Sequence, residues 1–170
     1  MRRTLAPSCL LLVVLGLGAG ATCTSGDAES RQEAAEHAEE HQEEHAELAL
    51  HMVRLQRWTQ KTALALQARN PDLADFYLHE MEESMETIQT EAPTYEGYAI
   101  ADRTEEILVP RVEALDGALD ERNWEAVDER LAQLARACNQ CHQVTDHGFV
   151  KIDLEDVPNP YPQDFSSGGK

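Results

Sequence analysis

Basic residues are scarce in this chain. Fourteen Lys and Arg stand against 32 Asp and Glu, a formal net charge of -18. A phosphate-binding surface needs a basic patch and none is present, so nucleic acid is excluded as a partner. Aromatic residues are few, at 5%, while Glu, Ala and Leu abound; that balance disfavours a sheet and favours helices. Long apolar runs are missing: the stretch at residues 10–17 is too short to span a bilayer well. Internal repeats are missing too. Cysteine is sparse, with four in 170 residues at positions 9, 23, 138 and 141. No second cysteine pair follows Cys138 and Cys141, which leaves a structural zinc site short of ligands. No acid–base constellation is recognisable beside that pair, so the chain is not read as an enzyme.

What is present begins with a targeting segment, residues 1–22. Arg2 and Arg3 make a positive n-region, the apolar run follows, and Ala19-Gly20-Ala21 offers a small-x-small cleavage site. The expected location is periplasmic, or on a membrane facing the periplasm. Cys23 stands where a bacterial lipoprotein signal places its cysteine. Lipidation there would tether the chain to a membrane; ordinary cleavage would leave an odd thiol. Residues 23–43 form an acidic leader with nine acids between positions 27 and 47 against the single base Arg31. His37, His41 and His45 recur every four residues in it. On a helix they make one stripe, either a weak site for zinc, copper or nickel or part of a soluble tether.

Residues 44–148 read as four helices. The first runs roughly over 44–69 and extends back into the leader if the acidic stretch is helical. Leu48, Met52, Leu55, Thr59, Thr62 and Leu66 recur in steps of four and three, on one face. Asn70-Pro71 ends it, and Pro71 opens the second helix, which carries Leu73, Phe76, Tyr77, Met81 and Ile88 and stops before Pro93. A third covers about 95–119 with Ile100, Ile107, Leu108, Val112, Leu115 and Leu119; Pro110 is expected to kink or split it. Asn123 is suited to cap the fourth, whose inward face is Trp124, Val127, Leu131, Leu134, Cys138 and Cys141. Four such helices with short joins predict an all-α, antiparallel up-down-up-down four-helix bundle. Residues 149–170, with three prolines and Gly168-Gly169, read as an extended C-terminal tail.

The motif that carries chemistry is Cys138-Asn139-Gln140-Cys141-His142. C-x-x-C-H is the pattern of c-type heme attachment. Two thiols at this spacing on a helix each reach one vinyl group of the same porphyrin, and the next residue offers an imidazole to the iron. A redox dithiol would expect a strand-to-helix setting instead. The expectation is one covalent heme c on Cys138 and Cys141, with His142 as the proximal iron ligand.

On that motif, near the end of the last of four helices, the chain resembles the cytochrome c′ superfamily over about residues 44–148. The resemblance implies the four-helix bundle and the thioether and proximal roles of Cys138, Cys141 and His142. Many members carry a basic residue four positions after the His, where this chain has Asp146, and they end soon after the motif.

Function then turns on the other side of the iron. The last helix spans about 28 Å from Asn123 to His142, and counting about 27 Å back from Asn70 along an antiparallel first helix reaches Met52. Met52 is therefore the expected sixth ligand, a position that low-spin members of the resembled family use; the alternative is a core gap-filler. His51 and His147 are placed nearby, in surface or supporting positions, and His79 is too high on the second helix. The favoured reading is an electron carrier with a redox partner protein not named by the sequence; a homodimer is compatible with it. The alternatives are a high-spin module binding NO or CO and a metal-handling lipoprotein.

Overall fold

The computed structural model describes residues 25–168; residues 1–24, including Cys9 and Cys23, and residues 169–170 lie outside it. The side chains of residues 25–29 and 39–46 also lie outside, so of the histidine stripe only His37 is described, and it is exposed. The chain divides into two compact units, residues 1–36 and 37–170. The described part of the first is helical, and its side chains from 30 to 36 are exposed.

The described residues are mostly helical, as the composition requires. Helix α1 spans Ser25–Gln67, α2 Pro71–Glu91, α3 Ile100–Arg103, α4 Val109–Asp120 and α5 Trp124–Val144. A two-stranded antiparallel hairpin, β1 (Thr94–Tyr95) and β2 (Tyr98–Ala99), precedes α3. From Ser25 onward the acidic leader is thus helical and belongs to α1.

The boundaries follow from local chemistry. Asn70 caps α2 through its side-chain oxygen, which accepts from the Leu73 amide at 3.2 Å, with Pro71 just inside. Asn123 does the same for α5, accepting from Ala126 N at 3.2 Å. The third stretch departs from expectation at its start. Its first residues form the hairpin, because Gly97 (φ 81°) and Glu96 (φ 48°) take left-handed turn conformations that a helix cannot hold. The rest is divided just before Pro110: Thr104–Leu108 winds as a π-helical turn and leads into α4, with Pro110 in its first turn.

The core lies inside the second unit. Leu48, Leu55, Leu66, Met81, Ile88 and Leu115 are all buried. Thr59, Thr62 and Ser84 are buried as well, and each hydroxyl donates to the carbonyl four residues back, so none of these three hydroxyls is stranded. Phe76, expected on the inward face of α2, is half exposed at 50% because Tyr77 and Leu78 take the core-facing positions. Trp58 stacks on Tyr77 at 5.8 Å, joining α1 to α2. Arg69 makes a two-pronged pair with Asp128, at 3.0 and 2.8 Å, joining the end of α1 to α5.

Residues 145–168 have no regular helix or strand, but they do not hang free. Leu154, Val157 and Phe165 are buried. Lys61 of α1 holds the segment: its ammonium donates to Gln163 Oε1 at 2.9 Å and lies 5.6, 5.0 and 5.0 Å from the rings of Trp58, Tyr77 and Tyr161. Asn70 donates to the carbonyls of Phe165 and Ser166. The composition of the tail hid this, since three buried side chains among prolines carry no periodic signal.

Candidate functional site

The last two turns of α5 face α1 across a cavity of about 280 Å³. Cys138, Cys141 and His142 line it from α5; Met52, Leu55 and Thr59 line it from α1; Leu108 lines it as well. Residues 150–154 of the C-terminal segment form the remaining wall. The structure therefore brings all four of the residues singled out by sequence to one cavity. The spacing explains it: Cys138 and Cys141 lie one turn apart, as do Met52 and Leu55, and each pair faces one way.

The two cysteines are free thiols. Burial pushes the Cys138 thiol up to about 12. Burial raises Cys141 as well, while Arg103 pulls the other way. Reactive dithiols have lowered pKa values, so these two are poorly suited to thiol–disulfide exchange.

His142 is held by its backbone neighbours. Its Nδ1 lies 2.9 Å from the carbonyl oxygen of Val150. A carbonyl only accepts, so Nδ1 carries a proton, and in the neutral ring Nε2 then keeps its lone pair. That is the tautomer an iron-binding imidazole needs.

The other histidines lie elsewhere. His147 Nδ1 is 2.6 Å from the Thr145 carbonyl, and its ring packs 5.6 Å from Tyr95, away from the cavity lining. His79 is exposed beside Glu82 and Glu83. His51, which sequence spacing put just off the inward face, is 5% exposed, packed toward α2 with Nε2 3.5 Å from Glu91. Glu47, His51 and Glu91 each bring one ligand atom within 4.8 Å of the others. The Nδ1 of His51 has no partner, whereas a metal-binding His is almost always steadied through its second nitrogen. The trio is therefore read as a buried imidazole facing carboxylates. Asp146, four positions after His142, accepts a hydrogen bond from Tyr98 Oη.

No family model, curated protein or solved structure matches the chain. Among the described residues no helix is long and apolar enough to cross a membrane.

Sequence reasoning missed Val150 and Ile152. Nothing in the tail's composition marks a backbone carbonyl as a partner for His142.

Proposed function

We propose that this protein is an exported mono-heme c-type cytochrome that transfers electrons, with heme c bound covalently to Cys138 and Cys141. The observation that carries the reading is the shared cavity: two thiols one turn apart, an imidazole with its Nε2 free, and a thioether, Met52, on the facing helix. This donor set fits an iron porphyrin. The volume lies just under the usual range for cofactor pockets. The cavity is open to solvent at Val53 and Val150, which are exposed.

We further propose the antiparallel four-helix bundle of the cytochrome c′ superfamily, with α3, the π turn and α4 together as its third helix. Side-chain partners support it. Going up α1 from His51 to Trp58, the α2 partners descend from Glu91 to Tyr77. Arg69 pairs with Asp128, near the start of α5, while Met52 lies level with His142 near its end.

When bound, the heme iron supplies a reversible one-electron change. The chain's own residues do the rest. Cys138 and Cys141 would hold the cofactor through their sulfurs without a deep pocket. His142 would offer Nε2 to the iron while the Val150 carbonyl holds Nδ1. Met52 would offer its thioether as a further ligand, and a fully ligated iron would pass electrons with little rearrangement. Leu55, Leu108 and Leu154 would keep water away from the group. Export across the inner membrane, with or without a lipid on Cys23, belongs to the same proposal.

Two measurements test it. The protein expressed with a heme-attachment system should retain heme through acid–acetone extraction, and the Cys138→Ala, Cys141→Ala double variant should release it. The oxidised protein should show the weak near-infrared band of His/Met iron, lost in Met52→Ala with the appearance of a high-spin spectrum and fast carbon monoxide binding. A high-spin spectrum already in the unmutated protein, unaffected by Met52→Ala, would replace electron transfer by binding of small gases.

A further inference from the structure

The x positions of a C-x-x-C-H motif normally need only be tolerated. Here one of them is tied to the tail. Asn139 Nδ2 donates to the Ile152 carbonyl at 2.8 Å, and the Ile152 amide donates back to Asn139 Oδ1 at 2.7 Å. The side-chain amide therefore satisfies both backbone groups of one tail residue, as a neighbouring strand would. Asn139 and His142 are three apart on α5, hence on one face and roughly 5–6 Å apart at Cβ. Val150 and Ile152 are two apart in non-helical chain, roughly 6–7 Å at the rise of an extended segment. The two spacings match, so the tail crosses this face in register, Ile152 over Asn139 and Val150 over His142.

The approach is itself built. After α5 the chain reverses through Asp146 in the left-handed region (φ 60°), and the His147 amide donates to the His142 carbonyl at 2.7 Å. The Val150 amide then donates to the His147 carbonyl at 2.8 Å. Three backbone or side-chain ties thus fix where the Val150 carbonyl stands.

We infer that Asn139 is a positioning residue which, by clamping Ile152, holds the Val150 carbonyl on His142 Nδ1 and so sets how strongly that imidazole donates to its metal. The inference rests on the heme reading above. A His whose second nitrogen donates a hydrogen bond is a more basic ligand, and loss of such outer partners typically changes metal affinity by 10- to 100-fold. A more basic imidazole favours ferric iron, so the clamp lowers the reduction potential. Because Val150 is partly exposed, the low end of that range applies.

The test uses the heme-loaded protein, checked first by acid–acetone extraction. Asn139→Ala should keep its heme yet shift the equilibrium about tenfold toward the reduced form, which for one electron is 59 mV upward. Solvent exchange of the His142 ring N–H, followed by nitrogen-15 NMR, should quicken. Ile152→Pro, which in the full chain removes the amide that donates to Asn139 Oδ1, should move both readings the same way. Unchanged potential and ring N–H exchange in Asn139→Ala with heme attached overturn the inference. So does a shifted potential in Asn139→Ala with ring N–H exchange unchanged, since Asn139 would then act without the Val150 carbonyl. Heme extracted from the unmutated protein is a different failure: it removes the heme reading, and this inference with it.

Discussion

Replacing Lys61 by Met removes one charge and keeps most of the stem, so the change isolates what the ammonium does. That ammonium lies 5.0–5.6 Å from three aromatic rings and donates to Gln163 at 2.9 Å. A partly exposed cation–π contact is worth about 0.5–1 kcal/mol, and a hydrogen bond from a charged donor about 1.5–3 kcal/mol. These terms share one side chain and do not add. Lys61 is also half-buried, which places the net loss near 2 kcal/mol, at the lower end of the charged bond alone. The loss falls on docking of residues 157–168, because Gln163 and Tyr161 are the tail partners and Val157 is buried just before them. Native-state hydrogen exchange reads this directly. The Val157 amide, which pairs with the Gln67 side chain, should exchange about 30-fold faster, the factor that 2 kcal/mol represents. Amides of Leu66 and Leu115 in the core should not change, since local opening leaves the helices packed. Exchange at Val157 within threefold of the unmutated protein would refute the estimate. Equal acceleration in the core would show that the tail does not open as a unit.

The α2–α4 seam predicts an acid-side gain in stability. Burial raises the Glu82 carboxyl, aided by Asp116, Glu113 and Glu86 and opposed by His79; burial also raises Asp116, aided by Asp120 and Asp75. A carboxyl whose folded value is raised contributes fully when both states are protonated and loses that contribution as pH climbs through the folded value. Melting temperature should therefore rise as pH falls from neutrality toward the upper carboxylate range. Glu82→Gln should flatten that rise and stabilise at pH 7 by a few tenths of a kcal/mol, less in high salt. Asn123→Ala should cost about 1 kcal/mol through loss of the α5 cap, seen as a lower urea midpoint with unchanged slope. Leu115→Ala, at a site with no exposed surface, should cost about 2–5 kcal/mol in the same assay.

Much of the helical pattern was legible in the sequence because it is written in short-range chemistry. Asn70-Pro71 and Asn123 announce helix starts that need no distant partner. The 3.6-residue repeat of α1 sorts Leu48, Leu55 and Leu66 inward without knowledge of α2. The cavity was legible in part for the same reason: C-x-x-C-H is local, and a count of helical rise put Met52 level with His142. Other features depended on contacts between distant residues. His51 is buried through its neighbours on α2, which a single-helix projection does not contain. The tail docks on Lys61, Asn70 and Asn139, each more than ten residues away. The hairpin at residues 94–99 turns on two left-handed residues, one of them Glu96, a type that gives no turn signal.

The wide turn at Thr104–Leu108 bears on how this helix tolerates change in length. Ile100, Thr104, Leu108 and Val112 are all buried, yet they follow one another in three steps of four. In a regular α-helix, at about 100° per residue, twelve residues would carry the last of them about 120° around from the first. The π turn takes up the surplus residue, and the stripe stays on one side. Removing either Glu105 or Glu106, both exposed, would convert the segment to ordinary winding and leave Val112, Leu115 and Leu119 on their present side. The same deletion two turns later, at Glu113, would rotate everything beyond it out of the core. A single-residue deletion is thus absorbed at one point of this helix and disruptive elsewhere, and that point lies beside Leu108, which lines the cavity.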